Sequence, residues 1–355
     1  METKKLGFGL MRLPQNGNSE FGGVDIQTLK DMVDYFLEHG FTYFDTSYVY
    51  HNGFSERAIK SALVDRHPRE SFTLADKLPT WMVAKESDVK KYLNEQLQRT
   101  GAGYYDFYLI HAITGDNYRN MVKVKAFETF KRLKESGKIR HICISFHDTS
   151  EVLDEILTEH PEIEFVQIIA NYADFANEGL DMKACYDTVV NHNRQVIVME
   201  PVKGGQLANV GEKALRLFKE NSSEATPASY AIRFTASHPN VYVVLSGMSN
   251  MEQMLDNTSY MKEFVPLSDS EYKLLDKVNE IFDERKEILV DSDNKAIHTY
   301  FALYNNRKMF PSMDGWQNIL YNAVSLREGR ASELIKGEED ADIIEGLRKV
   351  IREFE

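Results

Sequence analysis

The feature that most constrains this chain is an alternation running through its first 265 residues or so. Short apolar runs, rich in β-branched and aromatic residues, are separated by longer amphipathic stretches. Phe41–Asp45, Phe72–Ala75, Asp106–Ile110, Ile139–Ser145, Phe165–Ile169, Val196–Met199 and Val241–Leu245 read as buried strands. Between them Asp25 can cap a helix that carries Leu29, Met32, Val33, Phe36 and Leu37 on one face and stops at Gly40. Ser87 opens a second helix that ends at Gly101, Phe127, Phe130 and Leu133 mark a third closed by Gly137, and Thr226-Pro227 is a cap with proline at the first helical position. Strands alternating with helices build βαβ units and a parallel sheet. Seven or eight such units over this length favour a closed (β/α)8 TIM barrel over an open doubly wound sheet. The opening segment Leu6–Leu13 is expected to form an extra hairpin strand plugging one end. Past Leu267 the rhythm changes: Ser268–Glu284 reads as a capped helix, and the rest is polar, aromatic and without strand rhythm. The expected architecture is an α/β barrel over residues 1–285 with a C-terminal, mostly helical appendage over 286–355.

Composition narrows the function. The 355 residues hold 42 basic and 55 acidic side chains, a formal charge of −13. No basic stripe opposes that balance, which argues against a nucleic-acid partner. The longest apolar runs, Gln195–Met199 and Val241–Leu245, are too short to span a bilayer. The opening METKKLGFGLMRLP has no apolar signal core, and two cysteines, Cys143 and Cys185, cannot make a disulfide framework, so a cytoplasmic setting is expected. The expected partner is a small molecule, and oligomeric state is not legible.

Catalytic groups of a β/α barrel sit where its strands end. Three successive strand candidates end on a titratable residue: FTYFD on Asp45, FTLADK on Lys77 and DFYLIH on His111. Their separations, 77 − 45 = 32 and 111 − 77 = 34, are about one β/α unit each, and Tyr50 lies just past the first. The set suits carbonyl reduction. Hydride arriving at a carbonyl leaves an alkoxide that needs a proton, and a tyrosine beside a lysine ammonium can supply it. Asp45 would hold Lys77 charged, His111 would orient the carbonyl, and the hydride must come from a cofactor. Taken singly, Asp45 suits a helix cap, Lys77 a rim charge, His111 a core histidine and Tyr50 aromatic packing. Their coincidence carries the functional reading.

These residues resemble the aldo-keto reductase family over roughly residues 5 to 265. FDTSYVYHNGFSE (44–56) is similar to the family's first signature, in which the catalytic tyrosine follows the aspartate by five residues, which implies Tyr50 and not Tyr48. ADK (75–77) and LIHA (109–112) match the segments bearing the lysine and histidine, and LKESGKIRHICIS (133–145) resembles the lead into the fifth strand. The resemblance implies NAD(P)H as cofactor: Ser145 and Gln167 would hold the nicotinamide carboxamide, and Met199 would stand where many members stack a tyrosine. Pro201, Val202, Gly204 and Gly205 would shape the loop beside the pyrophosphate, and Gly247, Ser249, Gln253 and Asn257 would face the adenosine. That adenosine-side segment, VVLSGMSNMEQMLDN (243–257), has no lysine or arginine for a 2′-phosphate, which leans the reading toward NADH. A basic residue from another loop, such as Lys203, would reverse this if it reached the cofactor. Arg12, Tyr48, Trp81 and His147 are the expected substrate-pocket walls.

The tail pieces HTYFALYNNRKMF and GRASELIKGEEDADIIEGLRKVIREF resemble a subgroup with a C-terminal ferredoxin-like domain that holds iron–sulfur clusters. Here the tail has no cysteine, and a cluster needs about four thiolates, so no iron–sulfur cluster and no metal site is expected in the chain as written. Tyr300, Phe301, Tyr304, Phe310 and Trp316 are expected to pack, in a helical lid over the barrel mouth. Two other readings stand beside the reductase: an aldolase-type barrel using Lys77 as a Schiff-base nucleophile, and a cofactor-binding sensor or partner subunit without turnover.

Overall fold

The computed structural model describes residues 4–310 and 316–355. Eight parallel strands close into a barrel: β1 (Leu6–Gly9), β2 (Tyr43–Asp45), β3 (Thr73–Leu78), β4 (Tyr105–Ile113), β5 (Ile139–Phe146), β6 (Phe165–Ile169), β7 (Gln195–Met199) and β8 (Val241–Ser246). Each strand pairs with its sequence neighbour, and β1 pairs with both β2 and β8 to complete the ring. The α/β barrel expectation therefore holds.

One part of it needs correction. Leu6–Leu13 is not a plug. Its first four residues, all buried, are the eighth staff of the barrel. Gly7 permits this closure, because a Cβ there would lie 2.8 Å from Leu245 Cδ2 and 3.0 Å from the Tyr43 ring. Four residues with two glycines lack the apolar signature of a strand, so the neighbours, not the segment, define it. The hairpin that does exist lies further on, Gln15–Asn18 against Gly23–Val24.

The helices start largely where the chain marks them. Asp25 accepts from Thr28 N, Thr226 from Ser229 N and Ser268 from Glu271 N. The second helix opens at Glu86, one residue before Ser87. Beyond the barrel lie helices Lys295–Met309, Trp316–Glu328, Ala331–Leu334 and Ala341–Phe354, with no strand among the described residues; 311–315 of this tail lie outside them. The tail has a core of its own built on Tyr300, Leu303, Leu320, Val324, Leu347 and Val350, which merges with Ile169, Leu180 and Met182 of the barrel. Helix Lys295–Met309 is buried on nearly every side, which explains its lack of a polar face.

On the outer side of β3, Asp76 and Glu56 are fully buried together. Asp76 Oδ1 accepts from Lys77 N at 2.8 Å and Gln96 Nε2 at 2.7 Å, and Arg99 pairs with Glu56 Oε2 at 2.9 Å. Asp76 Oδ2 and Glu56 Oε1 are buried without a hydrogen-bond partner, and the two carboxyls are near enough to act on each other. A proton shared between them would relieve both. Burial first and the Glu56 charge second push Asp76 well above the usual carboxylate range. Its folded-state pKa is raised, so this pair supports the fold fully below the ordinary carboxylate pKa, near 4, and less as pH rises. Asp76→Asn keeps the accepting oxygen and offers Glu56 an N–H. It should therefore match wild type in thermal melts at pH 4 and exceed it at pH 8 by about 2–4 °C; equal losses at both pH values would contradict the shared proton.

Candidate active site

The barrel interior dictates where the site forms. Successive strand side chains alternate sides, and the inward stack contains Tyr43, Ala75, Phe107, Leu109, Cys143, Phe165, Ile197 and Val243. Two residues past members of that stack come Asp45, Lys77, His111, Ser145, Gln167 and Met199. They form the polar rim of an apolar core, all at the C-terminal ends of the strands.

Lys77 is the hub. It is 1% exposed, and its Nζ donates to Asp45 Oδ1 at 2.5 Å, Thr46 O at 2.8 Å and Tyr50 Oη at 3.3 Å. Three donors meet three acceptors. Burial alone would lower the Lys77 pKa, but Asp45 and Tyr50 outweigh it and the net shift is upward, so the ammonium stays charged. Tyr50 keeps a raised pKa despite the neighbouring ammonium. Burial raises it by more than Lys77 lowers it, and the phenol stays protonated.

His111 faces the same space, its ring 6.1 Å from that of Tyr50 and nearly perpendicular to it. Burial, with Lys77 and His147 adding, depresses His111 well below the usual histidine value, so the ring is neutral. Its Nδ1 lies 3.1 Å from Ser47 Oγ. A serine donating there leaves the ring proton on Nε2. Ser47 carried no signal in the sequence beyond its place between Asp45 and Tyr50. Just past His111, Ala112 takes a left-handed φ of 50° and the β4–β5 register shifts, a bulge at the strand end where the site begins.

A cleft of about 1340 Å³ opens over these groups. Asp45, Tyr50 and His111 line it at one end, with Trp81, whose ring is 5.4 Å from that of His111. Ser145, Gln167, Met199, Pro201, Val202, Gly204, Gly205, Gly247, Ser249, Gln253, Asn257, Arg12 and His147 all line it too. Gln167 Oε1 is buried there without a partner. Burial and the Lys77 charge lower His147 to about 4. Gly247 leaves room for Arg12, since a Cβ would come within 3.2 Å of that side chain. Asn257 is already engaged, donating to Ser246 Oγ at 2.9 Å and accepting from Tyr260 at 2.6 Å.

Two expectations change, at Tyr48 and Trp316, and the condition set on Lys203 is not met. Tyr48 is not a pocket wall: its ring packs on Tyr92 and under Arg99, and its hydroxyl donates to Glu95, on the outer side of the barrel. Lys203 does not reach the cleft, being buried in an ion pair with Asp174. Trp316 packs, as expected, but it also lines the cleft with Ile319 from the same tail helix. Nothing in the local pattern around Trp316 distinguishes it from the other tail aromatics. Glu200, Asp256 and Glu252 are further lining residues the sequence did not single out.

Comparisons with known proteins agree with this arrangement. The sequence profile of the Aldo/keto reductase family matches residues 5–280. The aldo-keto reductase YhdN of Bacillus subtilis (strain 168) is 26% identical over 153 residues, 41% of this chain and 44% of that protein. Among solved structures, aldo-keto reductase AKR11C1 from Bacillus halodurans (holo form) superposes with a TM-score of 0.63 at 24% identity, over 77% of this chain and 91% of its own. An aldo-keto reductase from Klebsiella pneumoniae in complex with NADPH gives 0.62 at 20% identity, over 78% and 91%. These two likenesses speak for the barrel. The profile match covers most of the chain, and the chain belongs to the aldo/keto reductase family.

Proposed function

We propose that this protein is an NAD(P)H-dependent oxidoreductase that reduces an aldehyde, ketone or sugar-like carbonyl, with Tyr50 as general acid. The observation that carries the reading is the hydrogen-bonded chain Asp45–Lys77–Tyr50 beside a neutral His111, opening on a cleft of about 1340 Å³, ample for a dinucleotide. The residues present fit the cofactor: the unpartnered Gln167 Oε1 can accept from a carboxamide N–H, Ser145 lies on the adjacent strand, and the Met199 thioether offers a polarisable face. The bound nicotinamide would supply the hydride.

What the chain's own residues do follows from their protonation. His111 donates from Nε2 to the carbonyl oxygen and fixes its direction. Tyr50, protonated at neutral pH, delivers its proton to that oxygen as negative charge develops there. Lys77 stabilises the resulting phenolate, and Asp45 keeps Lys77 charged and aimed. Trp81, His147 and Trp316 would wall the substrate end. A Schiff-base role for Lys77 would need a neutral, free amine, whereas this one is held charged by Asp45. A sensor without turnover would have no use for the complete proton-relay set.

The lean to NADH rests on the adenosine side. Segment 243–257 contributes Glu252 and Asp256 but no cation, and Lys203 is committed to Asp174. Among the described residues Arg12 is the basic side chain that lines the cleft. We read residues 1–285 as the reductase unit and 286–355 as a helical appendage similar to the ferredoxin-like tails of one subgroup, but without thiolates to hold a cluster. The expected setting is cytoplasmic and the expected partner a small carbonyl compound.

Tyr50→Phe should lower kcat for carbonyl reduction by at least about 100-fold, while fluorescence titration gives a cofactor Kd within a few-fold of wild type. Near-normal turnover would remove Tyr50 from its role. In the same titration NADH should bind more tightly than NADPH. The reverse order would put the 2′-phosphate on Arg12, and Arg12→Ala should then weaken NADPH alone.

A further inference from the structure

We infer that Lys203 is a positioning residue that couples docking of the C-terminal helices to binding of the nicotinamide cofactor. The inference rests on the reading of the cleft as a dinucleotide site. Lys203 lies in the loop after β7, whose neighbours Val202, Gly204 and Gly205 line the cleft. Its own side chain points the other way. Nζ forms an ion pair with Asp174, in the loop after β6, and donates to Asn306 Oδ1 at 3.0 Å. Asn306 belongs to the tail helix Lys295–Met309 and donates back to Asp174 Oδ1 at 2.6 Å. Gln317, at the start of the next tail helix, donates to the same Asn306 oxygen at 3.4 Å. Lys203, Asp174, Asn306 and Gln317 are all essentially inaccessible to water.

The tail is what keeps this cluster dry. The Phe310 ring centroid lies 4.5 Å from Lys203 Nζ and that of Trp316 5.6 Å. A second observation concerns the loop backbone. Glu200 and Lys203 both adopt left-handed φ, 59° and 51°, which side chains with a Cβ rarely take. Such a conformation persists only where surroundings enforce it; at Lys203 the loop's own backbone hydrogen bonds are joined by the side-chain contacts to Asp174 and the tail. With the helices undocked, Lys203 and Asp174 would hydrate and the loop would be free to relax away from the shape that lines the cleft. Whatever stabilises that loop shape must, by linkage, stabilise the docked tail. Trp316 and Ile319 of the docked tail also wall the cleft, so the same equilibrium reaches the substrate end.

The test is hydrogen exchange on the full-length protein, free and saturated with NADH or NADPH, whichever binds in titration. Cofactor should slow exchange in Lys295–Met309 and Trp316–Glu328 by about threefold or more, with Ala126–Glu135 on the outer ring unchanged. In the doubly neutral variant Lys203→Met/Asp174→Asn, cofactor should bind about tenfold more weakly and the tail protection should vanish. A merely structural role would speed tail exchange equally with and without cofactor and leave the ratio intact. If cofactor binds wild type and the tail helices exchange at unchanged rates, the coupling is refuted without any variant. If neither nucleotide binds, the reading of the cleft falls first and this inference with it.

Discussion

Closure of eight parallel strands leaves each inward side chain stacked on those below it, and the stack opens at the C-terminal strand ends onto polar groups. Aromatic and aliphatic groups from Tyr43 to Val243 fill the barrel's interior. A layer above them the same alternation presents Asp45, Lys77, His111, Ser145, Gln167 and Met199. The placement of the site thus follows from a period of two and a closed ring, before any chemistry is considered. Gly7 suits that closure, since a larger β1 residue would crowd side chains of β2 and β8.

Putting charges on top of such a core is costly unless they are paired. Lys77 and Asp45 are both nearly inaccessible, and removing one partner of a buried pair typically costs about 3–5 kcal/mol because the other charge is stranded. Here every ammonium hydrogen has an acceptor, one of them Tyr50. Stability and the proposed proton transfer therefore use the same geometry. Burial sets the resting state as well: it keeps Tyr50 protonated and His111 neutral, so the acid is loaded and the orienting ring can donate.

The tail repeats the theme at a second place. It is joined to the barrel by apolar packing around Ile169, Leu180 and Met182, by the bidentate pair of Arg327 with the buried Asp148, and by the Lys203–Asp174–Asn306 cluster. Asp148 and Asp174 sit in the loops after β5 and β6, which brings the tail to the mouth of the barrel rather than to its sides.

How much was legible beforehand depends on how local each cause is. The strand rhythm, the caps at Asp25, Thr226 and Ser268, and the strand-end positions of Asp45, Lys77 and His111 are written in neighbouring residues, because periodicity and capping act over a few positions. The sequence by itself therefore determined the barrel class and the titratable groups at its mouth. Only the tertiary structure decided that Leu6–Gly9 closes the ring, that Tyr48 turns outward, that Lys203 is spent on Asp174 and that Trp316 joins the cleft. In the first three the deciding contact comes from far along the chain: β8 for β1, Glu95 for Tyr48, Asp174 for Lys203. A loop side chain's direction is set by whichever distant group satisfies its charge or covers its surface, and no local pattern encodes that.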